Sequence, residues 1–250
     1  MFISPDHELL QYSGRIDFEE KERPVMIYPA SYVRIRFTGT SLRVHLENKR
    51  EYWDNYMGCI IDGRQEKYLL PKTGETELLL AEQLADTKHD CLLFKRMDAC
   101  HYVTFLGFEI DDDAEVLPLE PLPERKIEVY GDSVSAGEVS EAVNFLGQPD
   151  PEHNGEYSNS YYSYAWMTAR KLGAQIHDVA QGGIALLDGI GWFHEPGYIG
   201  MESIYDKTAY HPDLGEMKKW DFSKYIPQAV IVAIGQNDSH PTDFMARDYD

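Results

Sequence analysis

A serine between glycines follows a short strand-like run in the second half of the chain. Residues 126–130 have the composition of a β-strand, and residues 130–137 read Tyr-Gly-Asp-Ser-Val-Ser-Ala-Gly. This order predicts that Ser133 lies in a turn at the carboxyl end of a strand, where open α/β folds bind their ligands. A serine hydroxyl is a weak nucleophile, so catalysis by Ser133 requires a base and a binding site for an oxyanion.

Two further predicted strands end in loops that carry hydrogen-bond donors. Residues 174–179 lead to Gly182 and Gly183, and the apolar run 229–234 leads to Asn237. The carboxyl ends of parallel strands share one edge of a sheet, so a hydroxyl, a backbone N–H and a side-chain amide are expected to converge there. Such donors stabilise a tetrahedral oxyanion. Because residues 229–234 are apolar throughout, they also predict a strand covered on both faces.

The first part of the chain has the two-residue period of half-buried strands. Val33, Ile35 and Phe37 alternate with polar or aromatic neighbours, and similar short runs separated by turns continue as far as residue 116. This pattern predicts an all-β sandwich domain over residues 1–116.

A change of pattern separates this region from the serine. Residues 117–125 contain three prolines and predict a semi-rigid linker. Residues 126–250 alternate strands with a helix, expected to begin at Asn159 and Ser160 and to end at Gly173. That order is typical of an α/β domain with a parallel sheet.

Composition limits the possible partners. The formal net charge is −20, which argues against nucleic acid or an anionic membrane as a partner, because both require a cationic surface. Cys59, Cys91 and Cys100 lack the spacing of metal ligands, and Cys59 and Cys91 are expected to be buried free thiols because they lie in apolar runs. No secretory signal is visible, so a cytoplasmic location is predicted, with secretion as the alternative.

The three strand-end loops resemble the blocks that define the SGNH hydrolases, a superfamily of serine esterases and lipases. Gly131-Asp132-Ser133 resembles the first block, Gly182-Gly183 the second and Gly235-Gln236-Asn237-Asp238 the third. The resemblance implies that Ser133 is the nucleophile and that Ser133, Gly183 and Asn237 bind the oxyanion. Asp132 is then either a cap or buttress for the turn, or a base. Trp192 and Phe193, which follow the glycine block, could line a sugar cleft.

The N-terminal region is similar to that of carbohydrate esterase family two. The similarity lies in residues 14–18, 37–42, 61–63 and 89–108. It implies a jelly-roll sandwich before an SGNH domain, and an esterase that removes acetyl groups from carbohydrate such as xylan or xylo-oligosaccharides. No metal or organic cofactor is implied.

One block of the superfamily does not occur in this sequence. SGNH hydrolases carry their catalytic histidine in a late Asp-x-x-His block, and the sequence printed here stops at Asp250 without one. We therefore expect the general base beyond residue 250, in a longer polypeptide whose α/β domain is incomplete here; His240 is the alternative. The rival functions are an SGNH lipase or thioesterase acting on other acyl esters, and a carbohydrate-binding protein with a catalytically dead domain.

Overall fold

The computed structural model describes residues 1–192, 199–211 and 213–239, and its elements follow one another in two regions. The strands are β1 (Phe2–Ile3), β2 (Gln11–Ser13), β3 (Ile16–Asp17), β4 (Val25–Met26), β5 (Tyr32–Gly39), β6 (Leu42–Arg50), β7 (Tyr56–Ile61), β8 (Arg64–Leu69), β9 (Thr73–Ala81), β10 (Thr87–Lys95), β11 (His101–Ile110), β12 (Val116–Leu117), β13 (Arg125–Gly131), β14 (Ala174–Ala180) and β15 (Ala229–Ala233). The α-helices are α1 (Ser133–Ala136), α2 (Tyr164–Lys171) and α3 (Met201–Ile204), and 3₁₀ turns cover Val143–Phe145, Ser160–Tyr162 and Phe222–Lys224. Within the described part of the chain, none of the helices combines the length and the apolar character needed to cross a membrane.

The first twelve strands form two antiparallel sheets. One sheet has the order β3-β4-β11-β6-β9, with β1 beside β11, and the other has the order β12-β5-β10-β7-β8, with β2 beside β5. The sheets share one hydrophobic core, in which Val33, Ile35 and Phe37 are fully buried. The two-residue period of the sequence therefore identified the inward face of β5 correctly, because successive side chains of a strand point to opposite faces.

The second region contains a three-stranded parallel sheet in the order β14-β13-β15. Ser163, rather than Asn159, caps α2: its hydroxyl accepts a hydrogen bond from the Trp166 N–H, while Asn159 caps the preceding 3₁₀ turn. The helix therefore begins later than the sequence predicts.

Strand β15 lies at an edge of the described sheet, where it pairs with β13. Val230 and Val232 are 54% and 64% exposed among the described residues. The cover expected on both faces of residues 229–234 therefore stays a prediction.

The segment between β12 and β13 is fastened to both regions. The Arg36 guanidinium donates to the Pro118 carbonyl, and the Gln175 side-chain amide donates to the Pro123 carbonyl. Strand β12 belongs to the sandwich and β13 to the parallel sheet. The connecting segment therefore contacts both the sandwich and the parallel sheet.

A buried ion pair also joins the two regions. Arg15, fully buried, contacts the Glu128 carboxylate at 2.8 Å and the Tyr130 hydroxyl at 3.0 Å. Its guanidinium also donates to the carbonyl oxygens of Tyr205 and Lys207. Because Arg15 lies in the sandwich and Glu128 in β13, the pair aligns the sandwich with the sheet that carries Ser133.

Candidate active site

Ser133 begins helix α1 directly after β13. Asp132 has an extended backbone, and its Oδ1 accepts a hydrogen bond from the Val134 N–H at 3.1 Å. Asp132 is therefore the N-cap of α1, which is one of the two roles that the sequence left open for it. The cap holds the first turn in place, and burial is the main cause that raises the Asp132 pKa above its ordinary value.

The glycine loop follows β14 and is held by the sandwich. The Gly182 N–H donates to Asp98 Oδ2 at 3.1 Å, and the Gln181 side-chain amide donates to the same oxygen at 2.7 Å. Gly183 has a φ of +73°, in the left-handed region that favours glycine. The Gly182 N–H is therefore engaged within the protein, whereas Gly183 occupies the turn that faces the cleft.

The loop after β15 is tied to the glycine loop by two adjacent side chains. Asn237 Nδ2 donates to the Ile184 carbonyl at 2.9 Å. The Asp238 carboxylate accepts the Leu186 N–H, with distances of 3.0 and 2.9 Å to its two oxygens. An amide nitrogen carries two hydrogens, so Asn237 retains a second donor beside the loop.

These loops meet in one cleft of about 760 Å³ between the two regions. The cleft is lined by Glu51, Tyr52, Trp53, Ser133, Glu138, Asp150, His153, Gly182, Gly183, Trp192 and Asn237. The structure thus brings together the four residues that the sequence singled out for the site, Ser133, Gly183, Asn237 and Trp192. Their convergence follows from the parallel sheet, whose strand ends share one edge.

Aromatic side chains form part of the cleft wall. Tyr52 and Trp53 lie between β6 and β7 of the sandwich and contact each other edge to face, with ring centroids 4.9 Å apart. Trp192 enters from the α/β region, is 55% exposed, and donates its backbone N–H to the Gly183 carbonyl at 3.0 Å. Flat, partly exposed rings are suited to packing against sugar rings. Phe193 lies outside the described residues.

The backbone of Trp53 has a φ of +54°, which is uncommon for a bulky residue. Strained backbone of this kind is concentrated at functional sites.

Carboxyl groups and a histidine complete the cleft. His153 Nδ1 lies 3.5 Å from Glu138 Oε2, and its Nε2 lies 3.5 Å from Asp150 Oδ2. The hydrogen bond with Glu138 is the main cause that raises the His153 pKa. His153 is exposed at the rim of the cleft, and the sequence did not single it out for the site. The alternative base His240 lies outside the described residues, and the base beyond residue 250 stays a prediction.

One buried cluster has the donor atoms of a metal site. Asp98, Cys100 and His101 offer a carboxylate, a thiol and an imidazole within 4.8 Å of one another. The cluster is already linked internally, since the Cys100 thiol donates to Asp98 at 2.8 Å and His101 Nε2 lies 2.9 Å from the Tyr52 carbonyl. The Lys95 ammonium group bonds the Asp98 carbonyl in the same cluster. A positive charge already present there makes the cluster a poor cation site.

Known proteins resemble this chain over most of its length. A family model for the carbohydrate esterase 2 N-terminal region matches residues 12–119. The chain is 32% identical to the cellulase/esterase CelE of Acetivibrio thermocellus over 93% of its own length and 27% of that protein. It is 26% identical to an acetylxylan esterase/glucomannan deacetylase of Cellvibrio japonicus, over 93% of its own length and 62% of that protein.

A solved structure resembles this chain closely. The family two carbohydrate esterase of Clostridium thermocellum, determined in complex with cellohexaose, has a TM-score of 0.80 and 31% identity, over 93% of this chain and 67% of that one. Fold and cleft define a protein with an antiparallel sandwich and a parallel α/β sheet, and Ser133 lies in the cleft between them. The comparisons are more specific: the chain belongs to carbohydrate esterase family two.

Sequence reasoning missed the part of the cleft that the sandwich supplies. Glu51, Tyr52 and Trp53 are consecutive in a predicted inter-strand segment, and adjacent aromatic residues in such a loop were the available signal. Glu138 directly follows the serine turn and could have been suspected from that position. Asp98 carried no local signal, because its contact with Gly182 spans 84 positions of the sequence.

Proposed function

We propose that this protein is a serine esterase that removes O-acetyl groups from carbohydrate such as acetylated xylan or xylo-oligosaccharides. The observation that carries the proposal is the convergence of Ser133, Gly183 and Asn237 in one cleft whose wall is partly aromatic. A nucleophile beside several hydrogen-bond donors is the arrangement that acyl transfer requires. The partner is an acetylated oligosaccharide or polysaccharide.

The reaction proceeds through an acetyl-enzyme. Ser133 Oγ attacks the acetyl carbonyl carbon while a histidine, expected beyond residue 250, takes the serine proton. The N–H groups of Ser133 and Gly183 and the second Asn237 amide hydrogen stabilise the oxyanion. Collapse of the tetrahedral intermediate breaks the ester bond, and the histidine gives its proton to the departing sugar hydroxyl. Water then releases acetate by the same steps.

Gly183 is the preferred backbone donor of its loop. The Gly182 N–H is bound to Asp98, so it is not available to a substrate. Gly183 lies next in the chain and lines the cleft. Its positive φ turns the backbone directly after the Gly182 N–H, which is bound to Asp98. Both observations support Gly183 as the oxyanion donor that the family resemblance implied.

The name of one relative and the ligand of another support a carbohydrate substrate. The Cellvibrio japonicus relative is an acetylxylan esterase/glucomannan deacetylase, and the Clostridium thermocellum relative was determined in complex with cellohexaose. The strand order also supports our proposal that the sandwich is a jelly roll: β4, β6, β9 and β11 lie in one sheet and β5, β7, β8 and β10 in the other.

The test is acetate release by the protein at its full natural length. Acetylated xylan, glucomannan and xylo-oligosaccharides are supplied to the wild type and to Ser133→Ala. We expect acetate from the wild type and a loss of at least about a thousandfold in the variant, with an unchanged circular dichroism spectrum. Activity above about a tenth of wild type in the variant would remove Ser133 as nucleophile.

Carbohydrate binding without catalysis is the second candidate, and the aromatic wall of Tyr52, Trp53 and Trp192 favours it. It predicts that the Ser133→Ala variant and the wild type bind unacetylated oligosaccharide equally, while neither releases acetate. The lipase or thioesterase alternative is disfavoured by the acidic side chains Glu51 and Asp150 in the cleft, because an acyl chain leaves such groups without hydrogen-bond partners.

A further inference from the structure

Two carboxyl groups from different regions of the protein meet at Gly182. Asp98 lies between β10 and β11 of the sandwich, and Glu138 lies just after α1. Asp98 Oδ2 accepts the Gly182 N–H, as described above. A Cβ atom on Gly182 would overlap Glu138 Oε1 and would lie 2.9 Å from Asp98 Oδ2. Gly182 is therefore packed between the two carboxyl groups, and a side chain at this position would require them to move.

The environment of Glu138 is unusual for a carboxyl group in a cleft. Its side chain is 7% exposed, and no described donor bonds to its Oε1. The other oxygen, Oε2, faces His153. Because Oε1 lies at Gly182 beside the Asp98 carboxylate, the two carboxyl groups can bond each other only when Glu138 carries a proton.

The surroundings of Asp98 and Glu138 shift their pKa values in opposite directions. Burial alone raises the Asp98 pKa, but the hydrogen bond and charge of His101 and the charge of Lys95 outweigh it, so the Asp98 pKa lies well below its ordinary value. Cys100 also donates to Asp98, and Tyr52 is linked to it through Gln181. Asp98 is thus a carboxylate at neutral pH.

Glu138 behaves in the opposite way. Burial raises its pKa to about 7, the Asp98 charge acts in the same direction, and His153 opposes both. The charged and titratable groups that face Glu138 are Asp98 from the sandwich and His153 from the α/β region. His153 in turn contacts Asp150.

We propose that Asp98 and Glu138 are positioning residues that hold the Gly182–Gly183 loop in the geometry for binding an oxyanion. Asp98 does so as a hydrogen-bond acceptor, and Glu138 does so as a neutral carboxyl packed against Gly182. The proposal rests on the proposed esterase function. It has a consequence for pH: when Glu138 ionises, a second negative charge lies beside the loop and opposes the developing oxyanion.

The test compares pH profiles of kcat in the full-length protein. Above about pH 7 the wild type is expected to lose activity as the Glu138–His153 pair loses its proton, by about tenfold. Glu138→Gln keeps the shape and neutrality of the side chain, so its alkaline loss should disappear. Glu152→Gln is the matched control: it removes one acidic charge from an exposed neighbour of His153 and should keep the wild-type profile. A wild-type alkaline limb retained in Glu138→Gln overturns the proposal.

Asp98 is tested by the split between kcat and KM. Asp98→Asn should lower kcat at least about tenfold with a smaller change in KM, because the loop mainly stabilises the transition state. A change confined to KM contradicts the proposal.

A readout without catalysis separates this proposal from the esterase function. The amide NMR signals of Gly182 and Gly183 should titrate near pH 7 in the wild type and in Ser133→Ala, but not in Glu138→Gln. Signals that titrate equally in Glu138→Gln overturn the positioning role. A wild type that releases no acetate from any tested ester, yet shows these titrations, would overturn the esterase function and leave the positioning role supported.

Discussion

Replacing Asn237 with alanine separates catalysis from loop anchoring. One amide hydrogen is held by the Ile184 carbonyl at 2.9 Å, and the other is the one that we propose binds the oxyanion. Loss of one oxyanion donor costs about 2.7–4 kcal/mol in the transition state, so kcat should fall about a hundredfold to a thousandfold. Loss of the bond to Ile184 costs only about 1 kcal/mol of folding free energy. Initial rates of acetate release over a range of substrate concentrations measure the first effect, and thermal unfolding measures the second.

Asp238→Ala is the control for this experiment. It removes the neighbouring tether to the Leu186 N–H but leaves the Asn237 amide in place. Its kcat should stay within about fivefold of wild type, although its free energy of unfolding should fall by about 1 kcal/mol, as in Asn237→Ala. If Asp238→Ala lost as much kcat as Asn237→Ala, the role of Asn237 would be loop anchoring. A change in Asn237→Ala confined to KM would show that Asn237 only positions substrate.

Other predictions address stability and specificity. Arg15→Ala should lower the free energy of unfolding by about 3–5 kcal/mol, because Glu128 is left as a buried charge; a loss under about 1 kcal/mol in urea unfolding would contradict this. Asp178 is fully buried, neither of its oxygens has a hydrogen-bond partner among the described residues, and burial raises its pKa well above the ordinary value. Above about pH 4 the unfolded chain therefore loses a proton that the folded protein keeps, so wild-type stability should fall by about 1.4 kcal/mol per pH unit until the folded-state pKa is passed. Asp178→Asn removes this slope, and parallel stability curves for the two proteins would refute the assignment. Trp192→Ala should raise KM for xylo-oligosaccharides about tenfold if its exposed ring stacks on sugar; an effect on kcat alone would argue against stacking. Asp150→Asn should improve kcat/KM for uronic-acid-bearing acetylated xylan relative to neutral xylan, and an unchanged ratio would show that cleft charge does not select substrate.

The glycine-flanked serine, the glycine pair and the asparagine were readable before the fold was known. Each follows a strand-like run, and parallel strands place their carboxyl ends on one edge. Local pattern was therefore sufficient to predict that Ser133, Gly183 and Asn237 lie close together. The alternation around Val33 likewise predicted the buried face of β5, because side-chain direction in a strand repeats every two residues.

The described sheet does not test the cover predicted for the apolar run of β15, because Val230 and Val232 are exposed there at its edge. Local pattern did misplace the start of helix α2. Helix α2 begins after Ser163 because a 3₁₀ turn precedes it. Asn159 caps that turn and Ser163 caps the helix, and the sequence pattern did not distinguish these two successive caps.

By itself, the sequence determined which residues form one wall of the cleft: Ser133, Gly183 and Asn237, which follow three consecutive strands of the α/β region and are the proposed nucleophile and oxyanion donors. Only the tertiary structure decided the opposite wall, where the sandwich supplies Tyr52 and Trp53 and where Asp98 binds the glycine loop. The physical reason is the sequence separation of the contacts. Strand period and turn composition are local properties, whereas the packing of the sandwich against the parallel sheet, held by the buried Arg15–Glu128 pair, joins residues more than a hundred positions apart.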